Sequence, residues 1–194
     1  KKKIILIGAG GHAKSCLEII IENNYDVEGF IDANEKLKTF ENYKILGNDN
    51  VLLDSKYNNH YFFITIGQIK DYKKRLSIFK KITNFHLKTC TIKSKSALIS
   101  KKTTIGLGTI IMRQSIVNYN ANLGENCIIN NKALIEHDVD IGNNCHISTG
   151  SIINGGVKIG NNVFIGSGAI IKEGISINDN AIIPANSFIK KNIL

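Results

Sequence analysis

The chain has 194 residues, of which 43% are hydrophobic, and a formal net charge of +9. This length and composition are typical of a folded protein with a buried core and exclude a disordered or low-complexity chain. The longest apolar runs are too short to span a membrane, and the basic start runs directly into a strand pattern. We therefore expect a cytoplasmic protein with no membrane partner.

The excess of positive over negative charge is confined to the first half of the chain. Residues 1–102 contain 19 Lys and Arg against 10 Asp and Glu, whereas residues 103–194 contain 6 against 6. A nucleic-acid partner is one interpretation, but these lysines lack the interleaved aromatic residues that stack on bases. Solvated lysines, or an anionic small-molecule ligand, explain the excess, so we predict no nucleic-acid partner.

The four cysteines, Cys16, Cys90, Cys127 and Cys145, form no C-x-x-C pair. Zinc sites and redox motifs require close ligand spacing, so neither a metal site nor a disulfide has support in the pattern. We predict no metal and reduced, unpaired cysteines.

Strand and helix patterns alternate over residues 1–85. Strands are predicted at "KKIILIG", "VEGFID" and "YFFITIG", and amphipathic helices at "HAKSCLEIIIENN" and "IKDYKKRLSIFKKI". This alternation predicts a small parallel sheet that amounts to half of a dinucleotide-binding fold.

A glycine turn, "GAGGHA", follows the first predicted strand. Gly8, Gly10 and Ala13 have the G-x-G-x-x-[GA] spacing, and Asp32 ends the second strand about 20 residues later. Such a turn presents backbone N–H groups at a helix N-terminus to an anionic ligand. It predicts a nucleotide or nucleotide-sugar site; alternatively, the glycines only join strand to helix. His12 either contacts that ligand or caps the helix.

From residue 99 onward an aliphatic residue recurs at every sixth position, and glycines recur at 18-residue spacing. Three hexads therefore make one coil, and small side chains four residues after the aliphatic position fit tight corners. The pattern predicts a solenoid of short strands over residues 99–194, preceded by a connection over 86–98. The periodic positions are Ile99, Ile105, Ile111, Val117, Leu123, Ile129, Ile135, Ile141, Ile147, Ile153, Ile159, Ile165, Ile171, Ile177, Ile183 and Ile189.

Residues 136–138 read Glu-His-Asp, and the 18-residue register places Asn-Gly-Gly, residues 154–156, one coil further on. The two glycines leave a notch without side chains beside the histidine. A histidine next to a carboxylate is suited to general-base catalysis, with Asp138 preferred over Glu136 as its partner, and the amide of Gly155 is a candidate oxyanion donor. The alternative interpretation is that His137, and His146 in the next coil, are exposed polar residues of the solenoid.

Motifs in both halves resemble one family. They are "GAGGHAKS", "GFID", "ILGND", "YFFITIG", "IIN" followed by "LIEHD", "HIS" and "GGVKIG". With the hexapeptide repeat, they are similar to the NeuD/PglD-like bacterial sialic acid O-acetyltransferases and UDP-amino-sugar N-acetyltransferases. The resemblance implies a small Rossmann-like α/β domain followed by a left-handed parallel β-helix, assembled as a homotrimer. It also implies direct acetyl transfer from acetyl-CoA to a hydroxyl or amino group of a surface-sugar precursor.

The resemblance also implies roles for individual residues. His137 is the base, Asp138 raises its basicity, and the Gly155 amide stabilises the oxyanion. Contacts with acetyl-CoA fall on His146, Gly155, Ser167 and Ala185. Contacts with the sugar or nucleotide-sugar substrate fall on Gly10, Gly11, His12, Asp32, Gly67 and Asn130.

Two positions depart from the family pattern. Asp32 is followed by Ala33 where many nucleotide-sugar members have a second acidic residue, which leaves sialic acid and a UDP-linked amino sugar, and O- and N-acetylation, all open. The last residues read "SFIKKNIL" instead of a "GxPAK"-like cap, which makes Lys190 and Lys191 candidates for the CoA phosphates.

Two rival functions remain at this stage. One is an NAD- or nucleotide-sugar-dependent oxidoreductase whose β-helix serves oligomerisation, and the other is a non-catalytic scaffold. The predicted sheet has only three parallel strands and no second mononucleotide-binding half, so the acetyltransferase is favoured.

Overall fold

The computed structural model describes residues 1–69 and 71–194, which separate into two compact units. The first unit comprises Lys1–Gly67 and Lys73–Cys90, and the second comprises Gln68–Tyr72 and Thr91–Leu194. Part of the helix expected over "IKDYKKRLSIFKKI" falls on residue 70, which lies outside the described residues. None of the helices in the described ranges has the length and apolar character needed to span a membrane.

The first unit is built on a five-stranded sheet of order β3-β4-β2-β1-β5. Its strands are β1 (Lys3–Ile7), β2 (Asp26–Ile31), β3 (Thr39–Phe40), β4 (Tyr43–Gly47) and β5 (Tyr61–Ile64). All neighbouring pairs are parallel except β3 and β4. The three predicted strands are β1, β2 and β5. The β3–β4 hairpin was not predicted because "TFENYKILG" contains no apolar alternation of strand length.

Two helices belong to this unit, α1 (Gly11–Glu22) and α2 (Lys73–Asn84), with 3-10 turns at Asp49–Leu53 and Ser55–Tyr57. Arg75 of α2 is almost fully buried, and its guanidinium donates hydrogen bonds to the carbonyls of Ile64 (2.8 Å) and Ile66 (2.9 Å). A buried charge is tolerated only with such partners, so Arg75 ties α2 to the chain that leaves β5.

The second unit is a prism of two-residue strands with three faces. Face 1 contains β6 (Ile92–Lys93), β9 (Ile110–Ile111), β12 (Ile128–Ile129), β15 (His146–Ile147), β18 (Phe164–Ile165) and β21 (Ile182–Ile183). Face 2 contains β7 (Leu98–Ile99), β10 (Ile116–Val117), β13 (Leu134–Ile135), β16 (Ile152–Ile153), β19 (Ile170–Ile171) and β22 (Phe188–Ile189). Face 3 contains β8 (Thr104–Ile105), β11 (Asn122–Leu123), β14 (Asp140–Ile141), β17 (Lys158–Ile159) and β20 (Ser176–Ile177).

The predicted hexad positions form the core of this prism. Every periodic aliphatic residue is the second residue of a strand, and these side chains pack together with buried corner residues such as Cys127 and Cys145. Each strand pairs in parallel with the strand 18 residues later, as Ile128 does with His146. The predicted fold class is confirmed: an α/β domain followed by a left-handed parallel β-helix.

The first strand of the β-helix, β6, lies before residue 99, where the predicted period begins. Lys93 occupies the periodic position of β6, so a search for aliphatic residues at that spacing does not include this strand.

The outward side chains differ sharply between two of the faces. On face 3 they are all polar: Thr104, Asn122, Asp140, Lys158 and Ser176. On face 2 they are all apolar: Leu98, Ile116, Leu134, Ile152, Ile170 and Phe188. Leu98, Ile170 and Phe188 are 67%, 37% and 53% exposed, so face 2 carries an uncovered apolar stripe along the prism.

Candidate active site

His137 lies on the corner between faces 2 and 3, directly after the end of β13. This corner, called the 2–3 corner, contains residues 118–121, 136–139, 154–157 and 172–175, stacked by the 18-residue register. One position in each layer adopts a left-handed backbone; these positions are Asn120, Asp138, Gly156 and Gly174, with φ from 59° to 70°. Asn, Asp and Gly adopt this conformation most readily, so the sequence fits the corner.

The His137 ring is paired with Asp138. Its Nδ1 lies 2.9 Å from Oδ2 of Asp138. A carboxylate oxygen accepts, so Nδ1 carries the proton of this bond, and in the neutral form of this tautomer the lone pair lies on Nε2. The other flanking carboxylate, Glu136, instead accepts from Nδ2 of Asn118 at 2.8 Å. The structure therefore pairs the histidine with Asp138 and not with Glu136.

Asp138 is held in its ionised form. Nδ2 of Asn120 donates to Oδ1 of Asp138 at 2.8 Å. This bond, and after it the bond to His137, lowers the pKa of the Asp138 carboxyl below its ordinary value of 3.8. The carboxylate thus remains charged and able to stabilise an imidazolium.

Gly155 lies against the edge of the His137 ring. A Cβ built at Gly155 would lie 2.8 Å from both Cε1 and Nε2 of the ring, so a side chain here would collide with it. The backbone layers are joined by the amide of Gly156, which donates to the carbonyl of His137 at 3.0 Å. The His137 ring therefore occupies the space that a side chain at residue 155 would fill, and open space lies beside Gly156, where an added Cβ would meet no atom within 4 Å.

The amide of Gly155 has no acceptor among the residues that the structure describes. The corner between faces 3 and 1 differs, because in three of its layers a side chain from the next coil accepts from the corresponding amide. Asn143 Oδ1 accepts from Glu125 (2.8 Å), and Asn161 Oδ1 accepts from Asn143 (2.8 Å). The 2–3 corner thus offers a backbone donor beside the histidine, which is the arrangement that an oxyanion requires.

His146 lies on face 1 and is 5% exposed. Its Nδ1 bonds to the backbone carbonyl of Gln68, and its Nε2 lies 3.2 Å from Nδ2 of Asn130. The ring also meets Phe164 edge-on, with centroids 5.3 Å apart. The structure therefore brings His146 and Asn130 together, with both ring nitrogens engaged by groups of the chain.

Ser167 and Ala185, the other candidate CoA contacts, are exposed on the corner between faces 1 and 2. They lie one coil apart, and Ser167 shares a hydrogen bond of 3.0 Å with the hydroxyl of Ser148.

Within the first unit, the candidate substrate residues lie at the carboxyl ends of the parallel strands. Gly8 has a φ of +104°, and a side chain there would collide with Ile66, so the turn after β1 requires glycine. Oδ2 of Asp32 accepts from the amide of Ala9 at 2.8 Å, which joins the end of β2 to this turn. In a parallel sheet this edge is the usual ligand site.

The remaining candidates of this unit surround the same turn. A Cβ built at Gly10 or Gly11 would meet no atom within 4 Å, so a ligand could approach the backbone there. A Cβ built at Gly67 would lie 3.4 Å from Cβ of His12, so these two residues are neighbours. A cavity of about 270 Å³ borders Asp32 and is also lined by Asn34, Glu35, Leu37, Lys38, Ile45, Leu46, Gly47 and Asn48.

Comparison with known proteins gives matches over both units. Residues 3–82 match the PglD N-terminal domain, and residues 120–155 and 156–191 match the bacterial transferase hexapeptide repeats. Over 109 residues, 56% of the chain, it is 33% identical to an uncharacterized protein of Acanthamoeba polyphaga mimivirus, of which the match covers 21%. The chain therefore spans about a fifth of the length of that curated relative.

Solved structures resemble the whole chain. PerB from Caulobacter crescentus, in complex with CoA and GDP-perosamine, has a TM-score of 0.91 at 26% identity and covers 98% of this chain and 90% of its own. A mutant of this perosamine N-acetyltransferase, in the same complex, has a TM-score of 0.92 at 25% identity with the same coverage. The acetyltransferase domain of PglB from Neisseria gonorrhoeae has a TM-score of 0.93 at 23% identity and covers 100% of this chain and 94% of its own.

The fold, the repeats and the domain matches are those found in hexapeptide-repeat transferases. More particularly, the chain combines a PglD-type N-terminal domain with that β-helix, so the resemblance to the NeuD/PglD-like sugar acetyltransferases is confirmed.

Two features of the site were not predicted from the sequence: the bonds from Asn118 and Asn120 to the flanking carboxylates, and the contact of Gln68 with His146. A signal for the first exists, because each Asn precedes its carboxylate by one coil of 18 residues. No local pattern signals the second, since Gln68 lies 78 residues from His146.

Proposed function

We propose that this protein transfers the acetyl group of acetyl-CoA to a nucleotide-linked amino sugar, with His137 as general base. The observation that carries the proposal is the His137–Asp138 pair, with the ring packed against the backbone of Gly155. A protein of the same fold at 26% identity is described in complex with both CoA and GDP-perosamine, which supports this donor and this acceptor class. Sialic acid, acetylated on a hydroxyl, is the alternative acceptor.

In this mechanism, Nε2 of His137 removes a proton from the acceptor amine as its nitrogen attacks the thioester carbonyl. The Gly155 amide donates to the resulting oxyanion, and Asp138 stabilises the imidazolium. Collapse forms the amide and breaks the C–S bond, and the proton returns from the imidazolium to the CoA thiolate. A base and an oxyanion donor of ordinary size together lower the barrier by roughly 5 to 9 kcal/mol.

Transfer is direct in this proposal, without an acyl-enzyme. All four cysteines are buried, so none is available as an exposed nucleophile. Reduced cysteines are typical of the cytoplasm, where we place the reaction.

The ligand contacts follow the candidate sets. Acetyl-CoA contacts Gly155, Ser167 and Ala185, and the exposed Lys190 and Lys191 are suited to its phosphates. Both ring nitrogens of His146 bond to groups of the chain. The proposed contact of His146 with acetyl-CoA therefore involves the ring edge, while Nε2 positions Asn130. In the first unit, the candidate contacts of the sugar substrate are Gly10, Gly11, His12, Asp32 and Gly67. In the second unit, the candidate contact of the acceptor amine is Asn130.

A homotrimer is the assembly that we propose. The outward side chains of face 2 are apolar in all six strands, whereas those of face 3 are polar in all five. Burying face 2 removes its exposed apolar side chains from water. Three identical copies can bury this face against one another around one axis.

The function is tested by ligand binding and product analysis. We expect acetyl-CoA to raise the melting temperature, NAD to have no effect, and mass spectrometry to show one added acetyl group on a nucleotide-linked amino sugar. Stabilisation by NAD without CoA would support the oxidoreductase and overturn the proposal. Stabilisation by neither ligand would support a scaffold. Acetylated sialic acid, with no product from amino sugars, would keep the activity and change the acceptor.

A further inference from the structure

Three asparagines form a row beneath the catalytic segment. Asn118, Asn120 and Asn122 lie one coil before Glu136, Asp138 and Asp140. Each donates a side-chain hydrogen bond of 2.8 Å to the carboxylate 18 residues later. The β-helix register sets these pairs face to face, so the row is a consequence of the stacking.

Only the middle pair is joined to the histidine. Nδ2 of Asn120 donates to Oδ1 of Asp138, and Oδ2 of the same carboxylate accepts from Nδ1 of His137. The two oxygens are thus occupied by two donors on different layers, which fixes the plane of the carboxylate. We propose that Asn120 is a positioning residue that directs Asp138 at His137; this inference rests on the proposed function.

Packing alone does not hold the Asp138 carboxylate, because the side chain is 56% exposed. Its backbone is held, since the Asp138 amide donates to the carbonyl of Tyr119 at 3.0 Å. The segment 119–120 therefore fixes both the main chain and the side chain of Asp138. Without Asn120, the carboxylate is free to rotate into solvent, and a proton on Nε2 of His137 becomes competitive with the productive tautomer.

The test replaces Asn120 by Gly, because its φ of 59° would strain a β-carbon residue, and glycines already occupy positions 156 and 174 of the same left-handed row. We expect N120G to lower kcat about tenfold, with KM for acetyl-CoA and acceptor changed less than twofold. N120D keeps the shape, but its carboxylate cannot donate and also repels that of Asp138, so its loss should be at least as large.

Asn118→Ala is the matched control, because it removes the same kind of bond from Glu136, which does not contact the histidine. We expect N118A to retain kcat within twofold. Equal losses in N118A and N120G would mean that the asparagines only stabilise the corner, and would overturn the inference.

A double-mutant cycle separates positioning from stability. If Asn120 acts through Asp138, then N120G should change kcat less than twofold in a D138G background. An undiminished tenfold loss there would contradict the inference. ¹⁵N NMR of the histidine ring gives a second readout: we expect the Nδ1–H tautomer of His137 in the native protein and a mixture in N120G, and an unchanged spectrum would contradict it.

Failure of this inference is distinguishable from failure of the proposed function. If H137A abolishes transfer while N120G and N118A behave alike, the assignment of His137 as the base stands. Only the positioning role of Asn120 is then rejected. If H137A retains normal turnover, the proposed mechanism itself is wrong.

Discussion

The absence of a side chain at Gly155 is as important to the site as the histidine itself. The backbone of Gly155 is outside the left-handed region, so its own conformation would accept alanine. What excludes alanine is the His137 ring, whose Cε1 and Nε2 atoms lie 2.8 Å from the position of the added carbon. The glycine is therefore required by the neighbouring histidine and not by the turn.

Gly155→Ala should consequently impair activity more than folding. The His137 side chain is 64% exposed, so its ring can move outward and leave the fold intact. That movement breaks the alignment of Nε2 with the Gly155 amide, and we expect kcat to fall tenfold to a hundredfold, in proportion to a lost oxyanion or base contact. Steady-state kinetics and thermal unfolding measure the two effects.

Gly174→Asn is the control for this prediction. Gly174 lies in the left-handed row of the same corner, with no atom within 4 Å of an added Cβ, and Asn tolerates its φ of 70°. Normal turnover in G174N together with normal turnover in G155A would contradict the role given to Gly155.

At the residue scale, the sequence predicted that His137 lies beside Asp138 and Gly155. It did not predict the hydrogen bonds that orient the carboxylates. The 18-residue register alone places Gly155 beside His137, because stacking in a β-helix is fixed by the repeat. The choice of Asp138 over Glu136 is settled by side-chain rotation, which depends on Asn118 and Asn120 one coil away. The 18-residue spacing places each Asn next to its carboxylate, but the repeat does not show which way the side chains rotate.

At the scale of elements, the hexapeptide period predicted the β-helix strands because one buried aliphatic residue per strand is enough to fill the narrow core. It did not reach β6, where Lys93 replaces the aliphatic residue. It also could not show that residues 68–72 belong to the β-helix unit, because that segment precedes helix α2 in the chain. A repeat pattern does not predict contacts between a repeat and a segment outside it.

The faces of the prism give the next prediction. If face 2 is the trimer interface, Ile170→Lys places three charges near one axis and should yield a monomer, since unpaired charges are costly to bury. Ser176→Lys on face 3 is the matched control and should leave the assembly unchanged. Light scattering after size exclusion should give three times the chain mass of 21.4 kDa for the native protein. A native monomer, or a trimeric I170K variant, would contradict this assignment.

At the scale of the whole molecule, the chain combines two kinds of site in two units. The first unit carries the glycine turn and Asp32, an arrangement suited to an anionic sugar ligand. The second carries the proposed base His137, its carboxylate partner Asp138 and the backbone of Gly155 on one corner. The proposed acyl transfer uses each group of that corner, whereas the alternative redox function assigns them no role, so variants of the second unit distinguish the two proposals.

The most direct test of this account is the rate of acetyl transfer by His137→Ala. The variant should fold and assemble as the native protein does, because the ring is exposed, and its kcat should be at least about a hundredfold lower. His86→Gly removes an exposed histidine of the first unit, at a φ of 51° that glycine adopts freely, and should transfer at the native rate. Turnover of H137A within a few fold of native, with acetyl-CoA and acceptor saturating, would contradict the assignment of His137 as the base.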